Sequence, residues 1–166
     1  MRALSSIASI VPGHVLASVQ EALPCDPSGV SEGWTLQQSL EWDTDVAAPE
    51  EGDLFVITCT VALFNSSERQ REVEASLSVG DETVLSPEKS LLPSVEGVSS
   101  KDFLTFEGVL PVHDEGAFTF MTHVKSHGEG VSAGGSRSVL RVYLMRRADI
   151  AVEPPVKPLP ILPPEE

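Results

Sequence analysis

Aromatic residues make up only 5% of this 166-residue chain, and cysteine occurs twice. Two cysteines fix no disulfide framework, and neither Cys25 nor Cys59 stands in a CxxC arrangement. Basic residues are scarce, 11 against 25 acidic, which leaves a formal charge of −14. A field of that sign repels phosphates and anionic headgroups, so neither nucleic acid nor a membrane surface is expected as a partner. No apolar run approaches the roughly 18 residues that span a bilayer. Residues 1–24 carry one Arg and are broken up by serines, Pro12, Gly13 and His14, so they are not read as a signal peptide. Catalytic signatures are missing too. No GxSxG occurs, and the glycine-rich stretch from Gly128 runs into a strand without a following Lys-Ser or Lys-Thr, which excludes a phosphate loop. An enzyme is not expected, nor a cofactor.

What is present is strand after strand. A hydrophobic content of 41% excludes global disorder, and the length suits one domain with tails. Asp53–Asn65, DLFVITCTVALFN, places Phe55, Ile57, Cys59, Val61 and Leu63 at odd positions. The even positions mix Val56 and Ala62 with Thr58 and Thr60. Such period-2 alternation with β-branched enrichment makes a central strand, packed on one face and partly covered on the other. In Trp34–Trp42, the even residues Trp34, Leu36, Leu40 and Trp42 are apolar and only Gln38 breaks the series. Asp43–Gly52 reads as an acidic loop with an edge pairing around Val46. Val73, Ala75, Leu77 and Val79 alternate with polar residues, and Gly80-Asp81 offers a turn into a short strand over 83–85. Residues 87–100 read as a crossing loop. Leu104, Phe106 and Leu110, then Phe118, Phe120 and Val124, then Leu140, Val142 and Leu144 mark three further inward faces. About eight short strands without a long helical pattern mean an all-β protein, an antiparallel β-sandwich or jelly roll.

Both ends depart from that pattern. Residues 1–33 read as an N-terminal arm and linker, with a short helix over His14–Leu23 that would need a surface to lie on, and turn-forming residues from Cys25 to Gly33. Residues 34–147 form the domain. Residues 148–166 form the tail: six of the thirteen prolines fall in Glu153–Glu166, EPPVKPLPILPPEE, which favours extended polyproline II and an extended strap.

Four stretches resemble the trimeric jelly rolls of the C1q and tumour-necrosis-factor kind, including versions used in bacteriophage virions. "EEGDLFVITCTVALFN" is similar to their turn and central strand, and "VEASLSVGDETV" to the next strand and hairpin. "LTFEGVLPVHDEGAFTFMTHVKSH" resembles a strand pair split by an acidic-glycine turn, and "SAGGSRSVLRVYLM" the small-residue stretch and closing strand. The resemblance implies a homotrimer and a structural role: a capsid decoration or cement protein on the exterior of a phage head, bridging copies of the major capsid protein. A tail-fibre or receptor-binding head, and a carbohydrate- or ligand-binding sandwich, are the alternatives.

The partner-binding residues expected from this reading lie in the arm and tail: Ile7, Ile10, Val11, Val15, Leu16 and Val19, with Val156, Leu159, Ile161 and Leu162. Two groups of residues carry metal-ligand chemistry: His113, His123 and His127 with Asp114, Glu115 and Glu129, and the acidic loop Asp43, Asp45, Glu50, Glu51 and Asp53. On one strand, His123 and His127 would stand about 13 Å apart at about 3.3 Å per residue, too far to share an ion. The acidic spacing fits no calcium loop such as the EF-hand. No metal is expected at either. Cys59 belongs to an apolar face, where a thiol is inert.

Overall fold

The computed structural model describes residues 12–80, 82–92, 100–114 and 116–148. They form ten strands: β1 (His14–Glu21), β2 (Cys25–Gly29), β3 (Thr35–Glu41), β4 (Leu54–Asn65), β5 (Arg71–Val79), β6 (Glu82–Leu92), β7 (Ser100–Pro111), β8 (Thr119–Ser126), β9 (Val131–Gly135) and β10 (Val139–Arg147). All described pairings are antiparallel.

Strand β4 organises the larger, six-stranded sheet. It pairs with β7 along its whole length on one side. Its other side is shared, with β10 taking Leu54–Thr60 and β9 taking Leu63–Asn65. Strand β1 extends the sheet beyond β10, and β2 extends it beyond β9. The second sheet runs β3-β8-β5-β6. Pairing is nested: β5 with β6, β4 with β7 around them, then β3 with β8, and β1 with β10 outermost. A β-sandwich wound as nested pairs in this way is a jelly roll.

The core lies between the sheets. Phe55, Ile57, Cys59, Val61 and Leu63 of β4 meet Val73, Ala75 and Leu77 of β5 and Phe120 and Val124 of β8, all buried. Phe55 is the hub of an aromatic group, with Trp42, Phe118 and Phe120 edge-on at centroid distances of 5.1, 4.9 and 5.1 Å. Half of the chain's six phenylalanines are spent here. Edge-on pairs gain from the ring quadrupole as well as from area buried. At the opposite end, Gln38 crosses the core, its Nε2 donating to the carbonyls of Leu23 and Ser138 at 3.3 and 3.4 Å. Ser138 Oγ in turn accepts the Ala62 amide at 3.0 Å, close to where β4 passes from β10 to β9.

Several expectations are corrected by this arrangement. The expected helix over His14–Leu23 is replaced by strand β1, His14–Glu21, and the sandwich begins at His14 and not at Trp34. A ten-residue helix has little stability of its own, whereas β10 offers a free edge with which β1 pairs from His14 to Glu21. The expected linker contains β2, which tolerates Pro27 because it is an edge strand whose register shifts between Cys25 and Ser28. Its approach to β9 requires glycine at 134, where φ is +114° and a Cβ would meet the Asp26 carbonyl at 2.8 Å. Strand β3 does not bury all its even residues. A register shift between Leu36 and Gln38 flips the alternation, so Trp34 and Leu36 face outward while Gln38, Leu40 and Trp42 turn inward. Val46 is exposed in the loop without a strand pairing. Strand β6 continues to Leu92 where a crossing loop was expected, through register shifts opposite Ala75–Ser78. The remaining inward faces are placed as the alternation requires.

Replacing Phe55 by Ala empties the centre of the aromatic group. The expected loss is about 3–5 kcal/mol, read as a lowered urea midpoint with unchanged m value.

Candidate interaction surface

Residues of β4 that alternate with the core stripe face away from the second sheet. Their cross-strand partners assemble rows across the outer face of the six-stranded sheet. One row runs Leu16, Met145, Leu54, Pro111, and the next Val19, Tyr143, Val56, Val109. A third row is charged, with Glu21, Arg141, Thr58 and Glu107. Arg141 closes it with hydrogen bonds from Nε and Nη2 to Glu21 Oε2 at 2.8 and 2.6 Å. The outer face is therefore apolar at the end where β1 begins and β10 finishes, and polar beyond. Val56, Tyr143 and Met145 form a second buried apolar cluster, at 2%, 4% and 2% exposure, with Leu54 packed against them.

The polar clusters are built from internal ion pairs and hydrogen bonds, although Arg146 Nε is buried without a hydrogen-bond partner among the described residues. Glu74 points outward from β5 yet is buried, because Lys125 Nζ and His127 Nε2 meet its Oε2 at 2.9 and 2.8 Å. Glu72 Oε1 lies 3.5 Å from the same imidazole nitrogen. Glu72, Glu74 and His127 thus bring three possible ligand atoms within 4.8 Å. Glu74 Oε2 already carries the Lys125 ammonium, so the cluster is organised around that ion pair. Lys125 also lies 4.7 Å from the centre of the outward-turned Trp34 ring. In the acidic loop, buried Asp53 accepts the Glu50 amide at 2.9 Å and an Arg146 Nη2 donor at 3.2 Å. Those carboxylates anchor the loop to β10 and do not converge on a cation. Burial lowers the His123 imidazole below its ordinary pKa.

An open groove of about 450 Å³ crosses the outer face near β2, lined by Pro24, Cys25, Pro27, Phe64, Gly135 and Arg137 among others. Cys25 reaches it half-buried, while Cys59 lies in the core with its thiol pushed up to about 12 by burial, with a smaller contribution from Cys25. A thiol held protonated at that level is no nucleophile.

Of the partner-binding residues expected from sequence, Val15, Leu16 and Val19 lie on edge strand β1 at 53%, 42% and 48% exposure. Ile7, Ile10 and Val11, and Val156, Leu159, Ile161 and Leu162, lie outside the described residues. Sequence reasoning missed the two apolar rows as a surface. Their signal was present in the double-sided apolar character of Leu54, Val56, Tyr143 and Met145. It also missed the partners of His127, which are Glu72 and Glu74 across the β5–β8 pairing and not His123 or Glu129.

Comparison with known families and with curated proteins finds no match. Among solved structures, the chain is similar to one described as "Structure of infectious bursal disease virus Gx strain", at 11% identity and a TM-score of 0.22. The likeness covers 79% of this chain and 42% of that one, so the chain spans less than half of that protein's length. At that identity and score it carries no argument.

The contrast between the two cysteines is checked with a thiol-specific disulfide reagent. In native protein Cys25 is expected to react and Cys59 to stay silent, with both reacting in denaturant.

Proposed function

We propose that this chain is a virion structural protein, a capsid decoration or cement protein that bridges major capsid subunits on the exterior of a bacteriophage head and acts as a jelly-roll homotrimer. The observation that carries the reading is edge strand β1. Among the described residues it has no neighbouring strand on one side, and it exposes Val15, Leu16 and Val19 on a protein of net charge −14. Natural sheets usually blunt an exposed edge with charge or proline, so an apolar edge is suited to a partner. The nested strand order also fits the resemblance of the sequence to trimeric virion jelly rolls. A three-fold ring would cover such an edge in every copy and leave one face for the shell. The physical task is contact area: a protein bound across joints between capsid subunits resists their separation under internal pressure. The acidic surface keeps the unassembled protein soluble.

The test is co-sedimentation of purified protein with empty shells of its major capsid protein, with the free mass measured by light scattering. The expected result is a trimer that binds saturably at a fixed ratio to capsid subunits. A trimer without shell affinity would move the assignment to a fibre or receptor-binding head, and a monomer without it to a ligand-binding sandwich.

A further inference from the structure

The outer face of the second sheet carries a cross-strand square of polar side chains where β5 pairs with β8. Glu72 and Glu74 stand two residues apart on β5 and so share that face. The register sets Lys125 opposite Glu74. One step beyond, the His127 amide donates to the Glu72 carbonyl at 2.9 Å, which sets His127 beside Glu72. The turn that carries His127 is tied back on both sides: Ser126 Oγ donates to the Gly128 carbonyl at 2.8 Å, and Arg71 Nε of β5 donates to the Glu129 carbonyl at 2.9 Å. His123 takes no part, since it lies opposite Ser76.

We propose that Glu72, Glu74 and His127 form a site for a divalent transition-metal ion, zinc by its ligand chemistry, which displaces the Lys125 ammonium from Glu74 Oε2. The spacing of the ligand atoms fits such an ion. His127 Nε2 stands 2.8 Å from Glu74 Oε2 and 3.5 Å from Glu72 Oε1, and the three atoms lie within 4.8 Å of one another. Donors bound to zinc at about 2.1 Å are roughly 3.4 Å apart at a tetrahedral angle and roughly 3.0 Å apart at a right angle. The site is open on one side, because the Glu74 side chain is 8% exposed while those of Glu72 and His127 are 40% and 51% exposed. Water therefore reaches the position of a fourth ligand. One imidazole with two carboxylates suits zinc-like ions, whereas calcium and magnesium take all-oxygen sets. Lys125 holds the shared oxygen at 2.9 Å, yet it has a second seat, since its Nζ lies 4.7 Å from the centre of the Trp34 ring. That ring keeps the ammonium once the carboxylate is taken. Ion pair and metal are thus two occupants of one position, and the bound ion clamps the end of β8 to β5. The site is a property of the isolated chain and stands apart from the capsid reading.

The test is calorimetric titration of the full chain, free of any histidine tag, with zinc chloride and separately with calcium chloride. The variants are His127→Gln, Glu72→Gln, Lys125→Met and, as controls, His113→Gln and His123→Gln. Far-UV circular dichroism and the thermal midpoint are recorded for each. The expected result is saturable binding of about one zinc per chain, with calcium giving none at the same concentrations. His127→Gln and Glu72→Gln weaken it by about a hundredfold or more, since even the outer partners of a metal ligand are worth about 10–100-fold. Both positions are half exposed, so these variants keep the fold, and zinc raises the thermal midpoint of the original chain but not of either variant. Lys125→Met tightens binding, because the competing ammonium is gone, and the two controls leave it unchanged. Zinc affinity that survives both His127→Gln and Glu72→Gln would overturn the proposal by placing the ion elsewhere. Equal binding of calcium and zinc would also overturn it, as attraction to an acidic surface without the imidazole. Weaker binding in Lys125→Met would overturn the displacement. Shells enter none of these readings, so a failure here is distinguishable from failure of capsid binding.

Discussion

Everything in this protein hangs on a strand that is paired on both sides. Strand β4 is bonded to β7 over twelve residues and to β10 and β9 in succession on its other flank. Its backbone therefore has no free polar edge, and both its faces can be apolar. The odd residues turn to the core and surround Phe55 with aromatic rings. The even residues Leu54 and Val56 turn outward and complete the apolar rows with β10. One strand thereby fixes the interior and the exterior of the sheet together. Its change of partner near Ala62, held by Ser138, is where the second sheet is tied in through Gln38.

Much of this was legible in the residues. The alternation in β4, β5, β8 and β10 identified the inward faces because period two survives wherever pairing is regular. It failed where the register slips. One shift in β3 turned Trp34 and Leu36 outward, and nothing in WTLQQSLEW announces the extra residue. It failed again at His14–Glu21, where spacing compatible with a helix was overridden by the free edge of β10. Long-range pairing of that kind joins residues more than a hundred positions apart and has no local signature. The His127 cluster was hidden for the same reason, since Glu72 and Glu74 reach it only through the β5–β8 register.

The candidate surface follows from the same economy. Three of the cations on the described strands are paired with carboxylates, Arg141 with Glu21, Arg146 with Asp53 and Glu50, and Lys125 with Glu74. The described residues present an apolar edge and an apolar outer face in place of a convergent reactive cluster. On surfaces of that kind affinity comes from the apolar area that a contact removes from water.

The measurement that tests this account most directly is native-state hydrogen exchange resolved by residue. If β4 is the strand on which both faces depend, its amides and those of the flanking part of β10 exchange only through global unfolding. The amides of β1 and β2 at the sheet margins then exchange through local opening, faster by orders of magnitude. Amides of β4 that exchange as fast as those of β1 would contradict the account, because the core and the outer face would then not share one organising strand.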